Sequence, residues 1–172
     1  LGPVWNPGEF VEGYTHPLWL LGIAGLGALG LDLELAAQAL GYACYVALFA
    51  LWVASRADPV WLLLLASLRG PAIWAGGGLE GVGISAALAA GARQLGRALE
   101  SQRSESVAAA ECERAAARCG LALGAAGLLR PEAAGSWLLA AALLFASGRR
   151  RACFRLLMAG GVPLMAWEIF RI

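Results

Sequence analysis

Apolar residues run along this chain in long blocks, and the polar residues between them mark where each block ends. The first block, Leu18 to Leu31, reaches about 21 Å as a helix at ~1.5 Å per residue. That is short of the ~30 Å hydrocarbon core of a bilayer. It predicts an interfacial or re-entrant helix, ended by Asp32 and Glu34. The following blocks predict spanning helices at about Leu35 to Ser55, Pro59 to Ala75 and Leu79 to Leu95. A fourth emerges from the polar stretch Glu100 to Ser106. It passes Glu111, Glu113, Arg114 and Arg118, which read as a solvated helix end, and continues to about Leu129. Arg130-Pro131-Glu132 form a break. Ala133 to Ser147 and Cys153 to Phe170 complete the set. The pattern predicts an all-α, polytopic transmembrane helix bundle, with about six spanning helices plus one interfacial helix. Residues 1–34 form an outer loop and interfacial helix, and residues 35–172 form the bundle.

Composition points the same way. Of 172 residues, 60% are hydrophobic and 15% charged, whereas a soluble domain is nearer half apolar and a quarter charged. Glycine and alanine scattered through the apolar blocks suit close helix packing in lipid. Cys44, Cys112, Cys119 and Cys153 show no CxxC spacing and read as small apolar or surface residues, not as metal ligands or disulfides. Trp5, Trp19 and Trp74 read as interface anchors. The chain starts at Leu1 with no signal-peptide pattern and reads as an internal piece of a longer protein.

Charge placement orients the bundle. All 13 basic residues are arginines. If Arg56 is cytoplasmic, alternation puts Arg93, Arg97, Arg103, Arg114, Arg118, Arg149, Arg150, Arg151 and Arg155 on the same side. Arg69, Arg130 and Arg171 remain for the outer half. Arg149 to Arg151 then read as a topology determinant. On this topology NPGEFVEGYTHP, GGGLE and RPE share the outer face, which gathers Glu12, Tyr14, Thr15, His16, Arg69, Glu80, Arg130 and Glu132. Ionisable residues at helix breaks near a bilayer are functional candidates. Paired arginines there suit a phosphate or pyrophosphate. Plainer readings stand beside these: His16 as a hydrogen-bonded helix start, Arg69 snorkelling to the interface, Glu80 as a turn cap, and Arg130 with Glu132 as a local ion pair.

NPGEFVEGYTHPLW, residues 6 to 19, resembles the NPGExVEGYTxPLW segment of bacterial GT-C membrane glycosyltransferases. These are the family 39 mannosyltransferase-like proteins and the mycobacterial arabinofuranosyltransferases. GGGLEGVGI (Gly76 to Ile84) is similar to that family's sGLEt turn, and LLRPEAAG (Leu128 to Gly135) to its ltRPEG turn, in the same order. The resemblance implies an inverting hexosyl- or pentosyltransferase in the bacterial inner membrane, working on the periplasmic or extracellular side. It implies a polyprenyl-phosphate sugar donor, membrane lipid, and a glycan, lipid or protein acceptor. Substrate would meet Glu12, Tyr14, Thr15, His16, Glu80 and Glu132, and the donor phosphate would meet Arg69 and Arg130. The family's catalytic aspartate lies in a DDxxI-like motif upstream of this segment, so the base is expected before Leu1 and this piece alone is expected to be inactive. Phe10 and His16 depart from the family's usual basic and Asn or Ser residues. No metal-ligand cluster or nucleic-acid partner is expected, and divalent-metal dependence is left open. The rival classes are a transporter or channel fragment, which would want paired broken helices and mid-membrane charges, and a non-catalytic membrane scaffold.

Overall fold

The computed structural model describes residues 16–55, 59–100 and 107–171. Helices follow in the order α1 (Pro17–Ala28), α2 (Leu33–Ala54), α3 (Pro59–Ser67), α4 (Arg69–Gly76), α5 (Gly81–Glu100) and α6 (Val107–Leu129). A 3-10 turn (Pro131–Ala133), α7 (Ala134–Ala146) and α8 (Arg150–Arg171) complete the described residues, which contain no strand.

Asp32, which closes the first apolar block, opens the next. Its carboxylate accepts from the backbone N–H groups of Glu34 at 2.9 Å and Leu35 at 3.3 Å, satisfying donors that a helix start leaves open. The 22 residues of α2 extend about 33 Å. Both α2 and α8 are long and apolar enough to cross a bilayer, and only 17% of the most apolar window of each is buried. Leu63, Val46, Met165 and Phe170 are among the side chains left bare. So much exposed apolar surface is costly in water and natural in lipid.

The span expected at Pro59 to Ala75 is broken. Leu68 is extended (ψ 116°) between α3 and α4. Pro71 explains the break: its ring would clash with the carbonyl of Ser67, and it offers no N–H to that carbonyl. In the first turn of α4 the same proline is tolerated. Helices α4 and α5 meet at a bend of 119° and together qualify as one broken or re-entrant span. Among the described residues, helices long and apolar enough to cross therefore number two, or three with the bent pair, against about six expected. The 12-residue α1 and the segment Pro131–Ala146 are apolar but short. Helix α6 carries its charges inside its N-terminal half, where lipid accommodates them poorly.

Helix α6 is the centre of the bundle, packed on α5, α7 and α8. Cys119, Leu144 and Leu156 lie fully buried in a core otherwise rich in alanine. Close approach is possible because α6 presents glycines to the backbone of α8. A Cβ on Gly120 would lie 2.2 Å from the Leu156 carbonyl oxygen, and one on Gly124 would lie 2.7 Å from the Gly160 Cα. Trp137 Nε1 also donates to the Leu156 carbonyl at 3.2 Å.

One pole of the bundle is closed by arginines. The Arg93 guanidinium donates to the carbonyl of Ala54 at the end of α2, at 2.9 Å. Arg149 donates to the carbonyls of Ala98 and Leu99 at the end of α5. Each cation satisfies open carbonyls and complements the negative end of the helix dipole. Arg149 is therefore a helix cap as well as a charge of the arginine run.

Candidate functional site

The candidate site lies at the other pole, where the starts of α1 and α5 meet the end of α6. Three chain breaks build it, and each has a local cause. His16 precedes Pro17 and opens α1, its carbonyl accepting from Leu20 N–H at 3.1 Å. Glu80 opens α5, its carbonyl accepting from Ile84 N–H at 3.0 Å. Its carboxylate thus sits at the positive end of a helix dipole. Arg130 closes α6 through a 2.8 Å bond from its N–H to the Ala126 carbonyl. It is extended (φ −152°, ψ 126°), as a residue before proline prefers.

Tertiary packing brings these three side chains together. Glu80 Oε1 lies 3.2 Å from His16 Nε2 and 3.2 Å from Arg130 Nε. The carboxylate is mostly covered (15% exposed), while Arg130 is 54% exposed. Glu80 therefore holds the guanidinium by its inner nitrogen. The two terminal nitrogens of Arg130 have no protein partner among the described residues. A fork held in this way presents parallel N–H groups to an oxyanion. The local Arg130–Glu132 pair considered from sequence does not form: the partner of Arg130 is Glu80.

Trp19 braces the same region from inside. It is 7% exposed, and its Nε1 donates to the Gly78 carbonyl at 3.0 Å. This corrects its reading as an interface anchor. Gly78 has φ +67°, and the closing bonds Gly78 N–H to Ala75 and Leu79 N–H to Trp74 are those of a glycine-terminated helix end. A Cβ there would lie 2.7 Å from that of Ala37. The triple glycine thus lets the GGGLE turn sit against α2 and aim its carbonyl at Trp19. A Gly-Gly run followed by Leu after a helical block carries this signal in sequence, but the tryptophan partner does not follow from it. Trp74 is half exposed, and its ring packs on Gly81.

Of the other expected site residues, Glu132 is exposed in the 3-10 turn beside Arg130. Arg69 is exposed at the far end of α4. Neither forms an ion pair with the described residues. Glu12, Tyr14, Thr15 and Trp5 lie outside the described residues, as do Arg56 and Arg103. No group of three or more His, Cys, Asp or Glu side chains suited to a metal ion occurs among the described residues. Compared with protein-family models, curated proteins and solved structures, the chain matches none.

Proposed function

We propose that this chain is part of a polytopic membrane glycosyltransferase of the GT-C type. It would transfer a sugar from a polyprenyl-phosphate donor to an acceptor at the outer face. The observation that carries this reading is the meeting of His16, Glu80 and Arg130, one from each motif behind the family resemblance, at one pole of the bundle. Arg130, oriented by Glu80, offers its terminal N–H groups to the phosphate that leaves the sugar. Neutralising a departing phosphate favours the transition state over the ground state. Glu80 positions Arg130 in this scheme. The resemblance assigns proton abstraction from the acceptor to an acidic residue upstream of Leu1. In this reading the shorter helices cross as further members of about six spans, and Arg69, Glu132, Glu12, Tyr14 and Thr15 border the site.

One feature favours the transporter alternative: the 119° break between α4 and α5 is of the kind that transporters place at substrate sites. The His16–Glu80–Arg130 cluster lies at the helix ends rather than midway along them, which favours the enzyme.

The test is sugar transfer by membranes carrying the full-length protein, with a polyprenyl-phosphate sugar as donor. Removing a charge-assisted contact to the phosphate costs about 1.5–3 kcal/mol, so Arg130→Ala lowers transfer about 10- to 100-fold. Arg150→Ala, at the opposite pole, leaves it unchanged. Wild-type transfer by Arg130→Ala removes Arg130 from this role, and no transfer by the intact wild-type protein removes the enzymatic reading.

A further inference from the structure

Two cavities meet at the arginine pole, about 25 Å along α5 from Glu80. The first, of about 640 Å³, is a groove between α2 and α5 lined by Leu51, Trp52, Ala89, Ala92, Arg93 and Gly96. The second, of about 470 Å³, lies between α5 and α6 and is lined by Gln94, Arg97, Glu100, Glu111, Arg114 and Arg118. Arg97 and Glu100 line both, so a largely apolar groove and a polar slot lie side by side.

The slot is built by helical spacing. Gln94, Arg97 and Glu100 recur at every third position of α5, on one face. Arg114 and Arg118 are one turn apart on α6. These charges do not neutralise one another as ion pairs among the described residues: the ion pairs formed lie elsewhere, at Glu80 and between Arg155 and Glu113. Arg114 instead turns its Nε to the Ala110 carbonyl of its own helix at 3.3 Å. Across the two cavities Arg93, Arg97, Arg114 and Arg118 face Glu100 and Glu111, so guanidinium outnumbers carboxylate.

The arrangement suits one molecule with an apolar tail and an anionic group. We infer that these neighbouring cavities hold an anionic phospholipid. The acyl chain lies along Leu51, Trp52, Ala89 and Ala92, where Gly96 and the alanines keep the groove open. The phosphodiester meets Arg97 and Arg118. The position is consistent with the membrane reading: the positive-inside rule sets this arginine-rich pole against the cytoplasmic leaflet, whose lipids are anionic. The inference rests on that membrane reading and is independent of glycosyl transfer.

The experiment is a lipid titration of the whole chain in neutral detergent, with bound lipid counted by native mass spectrometry. Dioleoyl phosphatidylglycerol binds at least about fivefold more tightly than dioleoyl phosphatidylcholine, the ratio expected of one arginine contact. R97Q and R118Q each cut phosphatidylglycerol binding about fivefold. R150Q, which removes the same charge from the same pole outside the cavities, leaves it unchanged. R118Q alters an exposed side chain of α6 and keeps the test alive should R97Q fail to fold, with helical circular dichroism as the check. Equal binding of the two lipids overturns the inference, as does a loss in R150Q matching that in R97Q. Displacement of the lipid by millimolar inorganic phosphate also overturns it, by showing a site for a free anion.

Discussion

Arg130 and Glu80 are separated by 50 positions in the chain, yet their side chains meet at 3.2 Å. The contact ties the end of α6 to the start of α5 and joins the RPE and GLE turns. Its worth to the fold is small, because Arg130 is 54% exposed and such pairs contribute about 0–1 kcal/mol. Glu80→Gln and Arg130→Gln should each shift unfolding of the detergent-solubilised chain by no more than about 1 kcal/mol. A double-mutant cycle should return a coupling of about 0.2–1 kcal/mol. In the full-length protein both changes should lower transfer far more than stability. Equal losses in stability and activity would mean that the pair only holds the turns together.

Trp19 should matter more to folding than the ion pair does. Its ring is buried and its Nε1 serves the Gly78 carbonyl. Trp19→Phe keeps most of the packing and strands that carbonyl, which costs about 1–3 kcal/mol. Thermal unfolding in detergent measures this, and an unchanged midpoint would show that water replaces the bond.

The small residues of α6 set how closely α8 approaches. A methyl at Gly120 would press on the Leu156 carbonyl, whereas one at Gly25 of α1 meets nothing within 4 Å. Gly120→Ala should therefore destabilise by about 1–3 kcal/mol through overpacking. Gly25→Ala should stabilise by roughly 0.5–1 kcal/mol, because the helix loses a flexible residue. The opposite signs are the point of the comparison, and denaturation of the two variants reads them.

The two poles should label from opposite sides of the membrane. In a variant without the native cysteines, an impermeant maleimide should modify Glu132→Cys in intact cells. Arg150→Cys should be modified only after lysis. A cysteine at Gly13 should behave like the one at Glu132. Both pole positions labelling from outside would overturn the opposite-sided arrangement, and the reverse pattern would invert the orientation drawn from the arginines.

Much of the architecture is legible in the chain. Local chemistry sufficed for the Asp32 cap, the long α2, the break at Arg130-Pro131-Glu132 and the long α8, because each depends on residues within a few positions of itself. The broken span at Leu68 was also within reach: Pro71 dictates it, but the apolar run on either side hides it. The roles of Trp19 and Arg149 were not. Both look like interface residues by type, and their partners Gly78, Ala98 and Leu99 lie more than 45 positions away.

The sequence by itself determined that this is an all-helical chain with lipid-like surfaces, where its helices turn, and that polar residues gather at those turns. These follow from hydrophobic period, capping and proline, all of which act over a few residues. Tertiary structure alone decided which turns meet. It paired Arg130 with Glu80 rather than with Glu132 next door and set Trp19 under the glycine turn. It also opened two neighbouring cavities at the arginine pole. Those outcomes depend on how closely the backbones of α5, α6 and α8 approach, a distance fixed by glycines and alanines facing one another across the bundle.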